Sequence, residues 1–170
     1  MICALGIATM GAVTDVRGRR IPNWLTYGGL VAALGVRWAL LGWLGLRAGL
    51  VGLALAGGFL YLLFLLGGMG GGDVKLMAAV GAWAGTAQAV AILIASAIVG
   101  GILAVCYIVF RRQMLRTLLN TVKLIRHHLS SGLEQHPSLN IRQPSSLRVP
   151  YGLAIALGTL YCVGNTFWRG

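Results

Sequence analysis

Residues 48–84 read AGLVGLALAGGFLYLLFLLGGMGGGDVKLMAAVGAWA. The uncharged apolar run from Ala48 to Leu66 has the character of a membrane span. The run Gly67-Gly68-Met69-Gly70-Gly71-Gly72 separates it from Asp73, and an Ala/Gly-rich apolar segment continues from Val74 to Ala84. That segment is short, which suits a helix buried among neighbours better than one facing lipid. Outward from this stretch the alternation holds, with apolar segments from Met1 to Val13, Trp24 to Leu44, Ala89 to Phe110 and Tyr151 to Phe167. The pattern predicts an all-α, polytopic membrane protein with about six transmembrane helices, residues 1–170 forming one membrane-embedded domain.

Composition leads to the same class. Of 170 residues, 58% are hydrophobic, 10% are charged and 26 are glycine. Soluble domains carry about 25% charged residues and about 7% glycine. A soluble globular domain is therefore excluded, and apolar helices packed closely through small residues are indicated. The net charge of +11 does not indicate nucleic acid as a partner, because the basic residues lie between apolar runs, where topology places them. The first segment, 1–13, lacks the basic start of a signal peptide and reads as a span. It reaches only about 20 Å against a hydrocarbon core of about 30 Å, so the expectation is a short first helix or a chain start upstream of Met1.

Arg17, Arg19 and Arg20 lie between the first two segments, and Lys75 follows the third. Arg111, Arg112, Arg116, Lys123, Arg126, Arg142 and Arg148 lie between the last two. In a six-span protein these connections share one side, whereas the other has Arg47 and Arg169, with Arg37 in or near the end of the second segment. The positive-inside rule then puts both termini outside a bacterial inner membrane and the 111–149 loop in the cytoplasm. In that loop Leu115, Leu118, Leu119, Val122, Ile125 and Leu129 recur at helical spacing, predicting an amphipathic helix held to membrane lipid.

The acidic residues are only Asp15, Asp73 and Glu134. Glu134 falls in the polar loop, but Asp15 and Asp73 each adjoin an apolar span on the cytoplasmic side. A carboxylate there is costly unless it is neutral, paired or reached by water, which makes both functional candidates. Two carboxylates sharing one partly desolvated site cannot both ionise easily, so one keeps its proton, as an aspartyl protease requires. The charged member takes a proton from the attacking water; the protonated one hydrogen-bonds the peptide carbonyl and later protonates the leaving amine. Alternatively each Asp caps a helix or pairs with a nearby base, Arg17 for Asp15 or Lys75 for Asp73. A further alternative is a small proton-coupled transporter, or an accessory subunit of one, with the two Asp as proton relay.

The Gly67 to Gly72 run lets the backbone approach an extended peptide, and it reads as a mobile segment that closes over substrate, with Gly70 and Gly72 beside the site. It is not a nucleotide loop, since no GK[ST] follows. Lys75 is a candidate for tuning the dyad or placing the substrate. Cys3, Cys106 and Cys162 stand singly in apolar stretches and His127-His128 lack helical metal-pair spacing, so no metal site or cofactor is expected.

Three segments resemble the prepilin peptidases, or type IV leader peptidases, among the GxGD intramembrane aspartyl proteases. Asp15 followed by Ile21-Pro22-Asn23 and Leu25-Thr26 is similar to the family's first aspartate segment, and Gly70-Gly71-Gly72-Asp73-Val74-Lys75-Leu76 to its second. Pro150-Tyr151-Gly152 with Ala154, Ala156 and Gly158 is similar to the opening of its last helix. The resemblance implies that Asp15 and Asp73 are the catalytic pair. It also implies that the partners are prepilin or pseudopilin precursors, cut after a short basic leader at the cytoplasmic membrane face. Larger relatives carry an insertion with paired cysteines and also N-methylate the new amino terminus. This chain has no such insertion and no paired cysteines, which argues against that second activity, and its size resembles the peptidase-only form of tight-adherence (Flp-type) pilus systems.

Overall fold

A computed structural model describes residues 1–110 and 150–169. The expected amphipathic helix, Glu134 and the polar loop lie outside the described residues. Five helices follow one another: α1 (Ile2–Gly18), α2 (Asn23–Leu65), α3 (Gly71–Ala84), α4 (Thr86–Phe110) and α5 (Tyr151–Arg169), with no strand among the described residues. Two of them, Asn23–Leu65 and Thr86–Phe110, are long and apolar enough to cross a membrane. Large apolar side chains such as Leu40, Leu44, Phe59, Ile94 and Leu160 are exposed, as on a lipid-facing surface.

The 43 residues of α2 would form a rod of about 65 Å if straight, roughly twice the hydrocarbon thickness. Gly42, at φ 60° and ψ −148°, breaks it. A methyl on Gly49 would lie 3.0 Å from Arg37 Cδ and 3.2 Å from Leu34 Cδ2, although Leu34 and Gly49 would be about 22 Å apart along a continuous helix. The chain therefore doubles back, and residues 23–41 and 43–65 run antiparallel. The turn falls at Gly42, inside the apolar stretch expected to run from Trp24 to Leu44. Glycine is the residue whose backbone takes that conformation without strain.

The second half of α2 ends in a Schellman cap. Gly67, at φ 76°, donates to Phe64 O at 3.0 Å, and Gly68 donates to Leu63 O at 3.0 Å, which satisfies terminal carbonyls of the helix. The chain re-enters as α3, antiparallel to 43–65 and nearly in backbone contact with it. A methyl on Gly52 would strike the Gly81 carbonyl, and one on Gly81 would strike that of Gly52. Gly57 meets Ala78 and Gly100 meets the Tyr151 ring, whereas Gly58 and Gly101 face open space. So only the first member of each glycine pair serves close packing. Gly52→Leu is expected to lower stability by about 1–3 kcal/mol through overpacking. Gly58→Leu should leave it nearly unchanged, and thermal unfolding in detergent checks both.

The core is made by Leu60, Leu76, Met77, Val80, Ile92 and Ile155, all fully buried, with Ala4, Ala8 and Ala12 bringing α1 against them. At the far end of α3, Trp83 Nε1 donates to Gly29 O at 2.9 Å and Arg37 Nη2 donates to Trp83 O at 3.3 Å. Arg37 thus serves a terminal carbonyl that hydrocarbon would leave unsatisfied. α3, held at that end, presents its first turn at the opposite one, where α1 ends and α5 begins.

Candidate active site

Asp15 belongs to the last turn of α1, which runs past the apolar segment 1–13 to Gly18 and closes where Arg19, at φ 50°, donates its N–H to Asp15 O at 2.8 Å. Asp73 lies in the first turn of α3, which starts at Gly71, earlier than the expected apolar start at Val74. The Asp73 N–H donates to Gly70 O at 3.2 Å, while the Gly70 N–H lies near enough to the Asp73 carboxyl group to favour its charged form. Asp73 is the third residue of the helix, the position from which an acidic side chain faces back toward the N-cap. A methyl on Gly70 would sit 3.0 Å from Asp73 Oδ2, and one on Gly72 would sit 3.3 Å from Ile21 Cβ.

The glycine run expected to be a mobile cover for substrate therefore divides into separate local tasks. Gly67 and Gly68 end α2, Gly70 makes room for a carboxyl group, and Gly71 and Gly72 are already helical.

α5 supplies the contact that sequence reasoning missed. The Gly152 N–H donates to Asp15 Oδ2 at 3.0 Å across 137 positions. That N–H is one of the orphan donors of a helix first turn, so the start of α5 addresses a carboxylate on α1. A methyl on Gly152 would lie 3.0 Å from both Asp15 Cβ and Oδ2. The available signal was the glycine directly after Pro150-Tyr151, where α5 begins.

Asp15 and Asp73 lie at the same end of the bundle, within electrostatic reach of each other. Among the described residues neither carboxyl group has an ion-pair partner: Arg17 is exposed, and Lys75 Nζ donates to Asn23 Oδ1 at 3.0 Å. Both groups stand outside the apolar runs 1–13 and 74–84. Burial, reinforced by the Asp15 charge, raises Asp73 from 3.8 to about 7, against the opposing pull of the Gly70 N–H. Burial also raises Asp15, offset in part by the Gly152 N–H. The pair therefore holds a proton to higher pH than two free carboxyl groups would, with Asp73 the more strongly raised.

The sign of the linkage follows. Because the folded state binds the Asp73 proton more tightly than the unfolded chain does, its contribution to stability is complete below about 4 and is lost as pH rises through about 7. Thermal unfolding of the wild type should fall in temperature over that window, and Asp73→Asn should flatten the slope. Equal slopes in the two proteins would sink the assignment.

The sequence model of the type IV leader peptidase family matches residues 2–105, from α1 through most of α4, with both aspartates inside the match. The chain belongs to this family. No curated protein and no solved structure matched the chain. Membership makes the protein a leader peptidase by type, that is, a protease, and its apolar helices agree with a membrane protein. The matched stretch holds both carboxylates and the Gly70 cap; Gly152, which orients Asp15, comes from α5 beyond it.

Proposed function

We propose that this leader peptidase is an aspartyl endopeptidase of the bacterial inner membrane, and that it removes the short basic leader from prepilin or pseudopilin precursors at the cytoplasmic face. The observation that carries this reading is the placement of Asp15 and Asp73 at one end of the helix bundle, Asp15 on the Gly152 N–H and Asp73 in the first turn of α3 within electrostatic reach of it. In this reading the chain crosses the membrane six times. With α2 folded back at Gly42, the described residues form six helical segments, and Arg17, Arg19, Arg20 and Lys75 fall at the same end as both carboxylates. Both chain termini then lie outside.

In this mechanism ionised Asp15 takes a proton from water as its oxygen attacks the scissile carbonyl carbon, and the Asp73 carboxylic acid donates a hydrogen bond to the carbonyl oxygen. When the tetrahedral intermediate collapses, the C–N bond breaks and the leaving amine takes the Asp73 proton. Asp15 ends protonated and Asp73 ionised, and one proton exchange resets the pair. Gly70 and Gly72 act on this site from within the fold, Gly70 leaving room for the Asp73 carboxyl group and Gly72 for Ile21. Cleavage should decline above pH of about 7, as Asp73 loses the proton it must donate.

The test is co-expression of a candidate prepilin with wild type, Asp15→Asn or Asp73→Asn, read as precursor size on a gel. Shortening by wild type alone, with all three proteins membrane-inserted, supports the reading. Shortening by either variant overturns the dyad. No shortening of any pilin-like precursor overturns the peptidase assignment in favour of the proton relay.

A further inference from the structure

Lys75 is the residue beside the carboxylates whose contacts the cleavage chemistry leaves unused. It follows Asp73 by two positions on α3, yet its ammonium is engaged with the start of α2. Nζ donates to Asn23 Oδ1 at 3.0 Å and stands 5.0 Å from the centroid of the Tyr27 ring. Asn23 and Tyr27 are one turn apart on α2, so a carbonyl acceptor and an aromatic face meet the same cation. Beside this contact, Ile21 packs against Gly72, where an added methyl would come within 3.3 Å of Ile21 Cβ.

The chain between α1 and α2 is therefore fastened to the first turn of α3 at two points. Asn23 follows Asp15 by eight positions and Lys75 follows Asp73 by two. The Lys75–Asn23 hydrogen bond thus closes a short ring through both aspartates. Without it, Asp15 and Asp73 would be related only through helix packing and the Ile21–Gly72 contact.

We propose that Lys75 is a positioning residue that latches the α1–α2 connection to the first turn of α3, holding Asp15 and Asp73 at working separation. The kinetic consequence rests on the peptidase reading; the latch itself does not. A lysine in this role has its ammonium occupied by α2 and leaves precursor affinity alone, whereas a lysine that grips the precursor sets KM.

The experiment compares Lys75→Met, Lys75→Arg, Asn23→Ala and the Lys75→Met/Asn23→Ala double variant with wild type, and measures kcat and KM on a precursor the wild type cuts. Lys75→Met and Asn23→Ala are each expected to lower kcat about fivefold with KM changed less than about twofold, and the double variant to be no slower than either single. Lys75→Arg should retain most of the rate, because a guanidinium serves both the amide oxygen and the ring. A raised KM at unchanged kcat, or losses that multiply in the double variant, overturns the latch.

Thermal unfolding in detergent gives a second readout that needs no cleavage. Both singles should lower the melting temperature and the double should lower it no further. Additive shifts overturn the latch, and coupled shifts with unchanged kcat overturn its positioning role. If wild type cuts no precursor, the peptidase reading fails and the melting cycle alone decides the latch.

Discussion

Asp73→Asn is expected to lower precursor cleavage by about 10³-fold or more while leaving the protein as stable as before, or more so. The two effects have separate causes. Asparagine matches aspartate in shape, and its side-chain oxygen can face the Gly70 N–H as the carboxyl group does, so the start of α3 is preserved. What disappears is the acidic proton that the carbonyl oxygen and leaving amine need, and general acid–base groups contribute about 10²–10⁴ in rate. Burial holds the carboxyl group at about 7, which means that ionising it in the fold is unfavourable; a neutral amide removes that cost. A residue that merely capped the helix would behave the other way, with full activity.

Asp15→Asn should be equally inactive, because an amide takes no proton from water. The double variant should be no worse than either single, as expected of two groups acting as a unit. Initial rates on a purified precursor, alongside melting curves, check this. Cleavage by Asp73→Asn within tenfold of wild type would sink the dyad.

Gly152→Ala is expected to reduce kcat by about 10²-fold with membrane insertion intact. The added methyl would sit 3.0 Å from Asp15 Cβ and Oδ2 and 3.3 Å from Cγ. Asp15 Cβ is fixed by the α1 backbone, so rotating the carboxyl group alone does not relieve the contact. Either α5 moves away from α1, or Asp15 gives up its 3.0 Å bond to the Gly152 N–H. Displacements of about 1 Å in a catalytic group are enough for a 10²-fold loss. Relieving that contact also costs stability, by about 1–3 kcal/mol, so the melting temperature should fall modestly while turnover falls much further. A kcat within twofold of wild type would show that Asp15 does not depend on the start of α5.

The readable parts of this protein are those encoded locally. Apolar runs and glycine content identify a helical membrane protein because a bilayer demands long uncharged segments with internally satisfied backbones. Asp15 and Asp73 stand out for the same reason, since an acidic group at the edge of such a segment is costly and there are few of them. The glycine run before Asp73 was legible as special, but not its division of labour. The φ of 76° at Gly67 and the closeness of Gly70 to the carboxyl group are properties of backbone geometry rather than of composition.

By itself, the sequence determined the class of the protein and singled out the two carboxylates as candidates, because hydropathy and charge act residue by residue along the chain. Only the tertiary structure decided where α2 turns back, which glycines meet a neighbouring backbone, and what holds each carboxyl group. Asp15 finds its donor 137 positions away at Gly152, and Lys75 finds Asn23 across 52. With 26 glycines in the chain, many helix pairings look equally permissive in one dimension. The choice among them comes from the joint fit of α1, α3 and α5 around a small buried core, and a site built at their ends exists only once that fit is made.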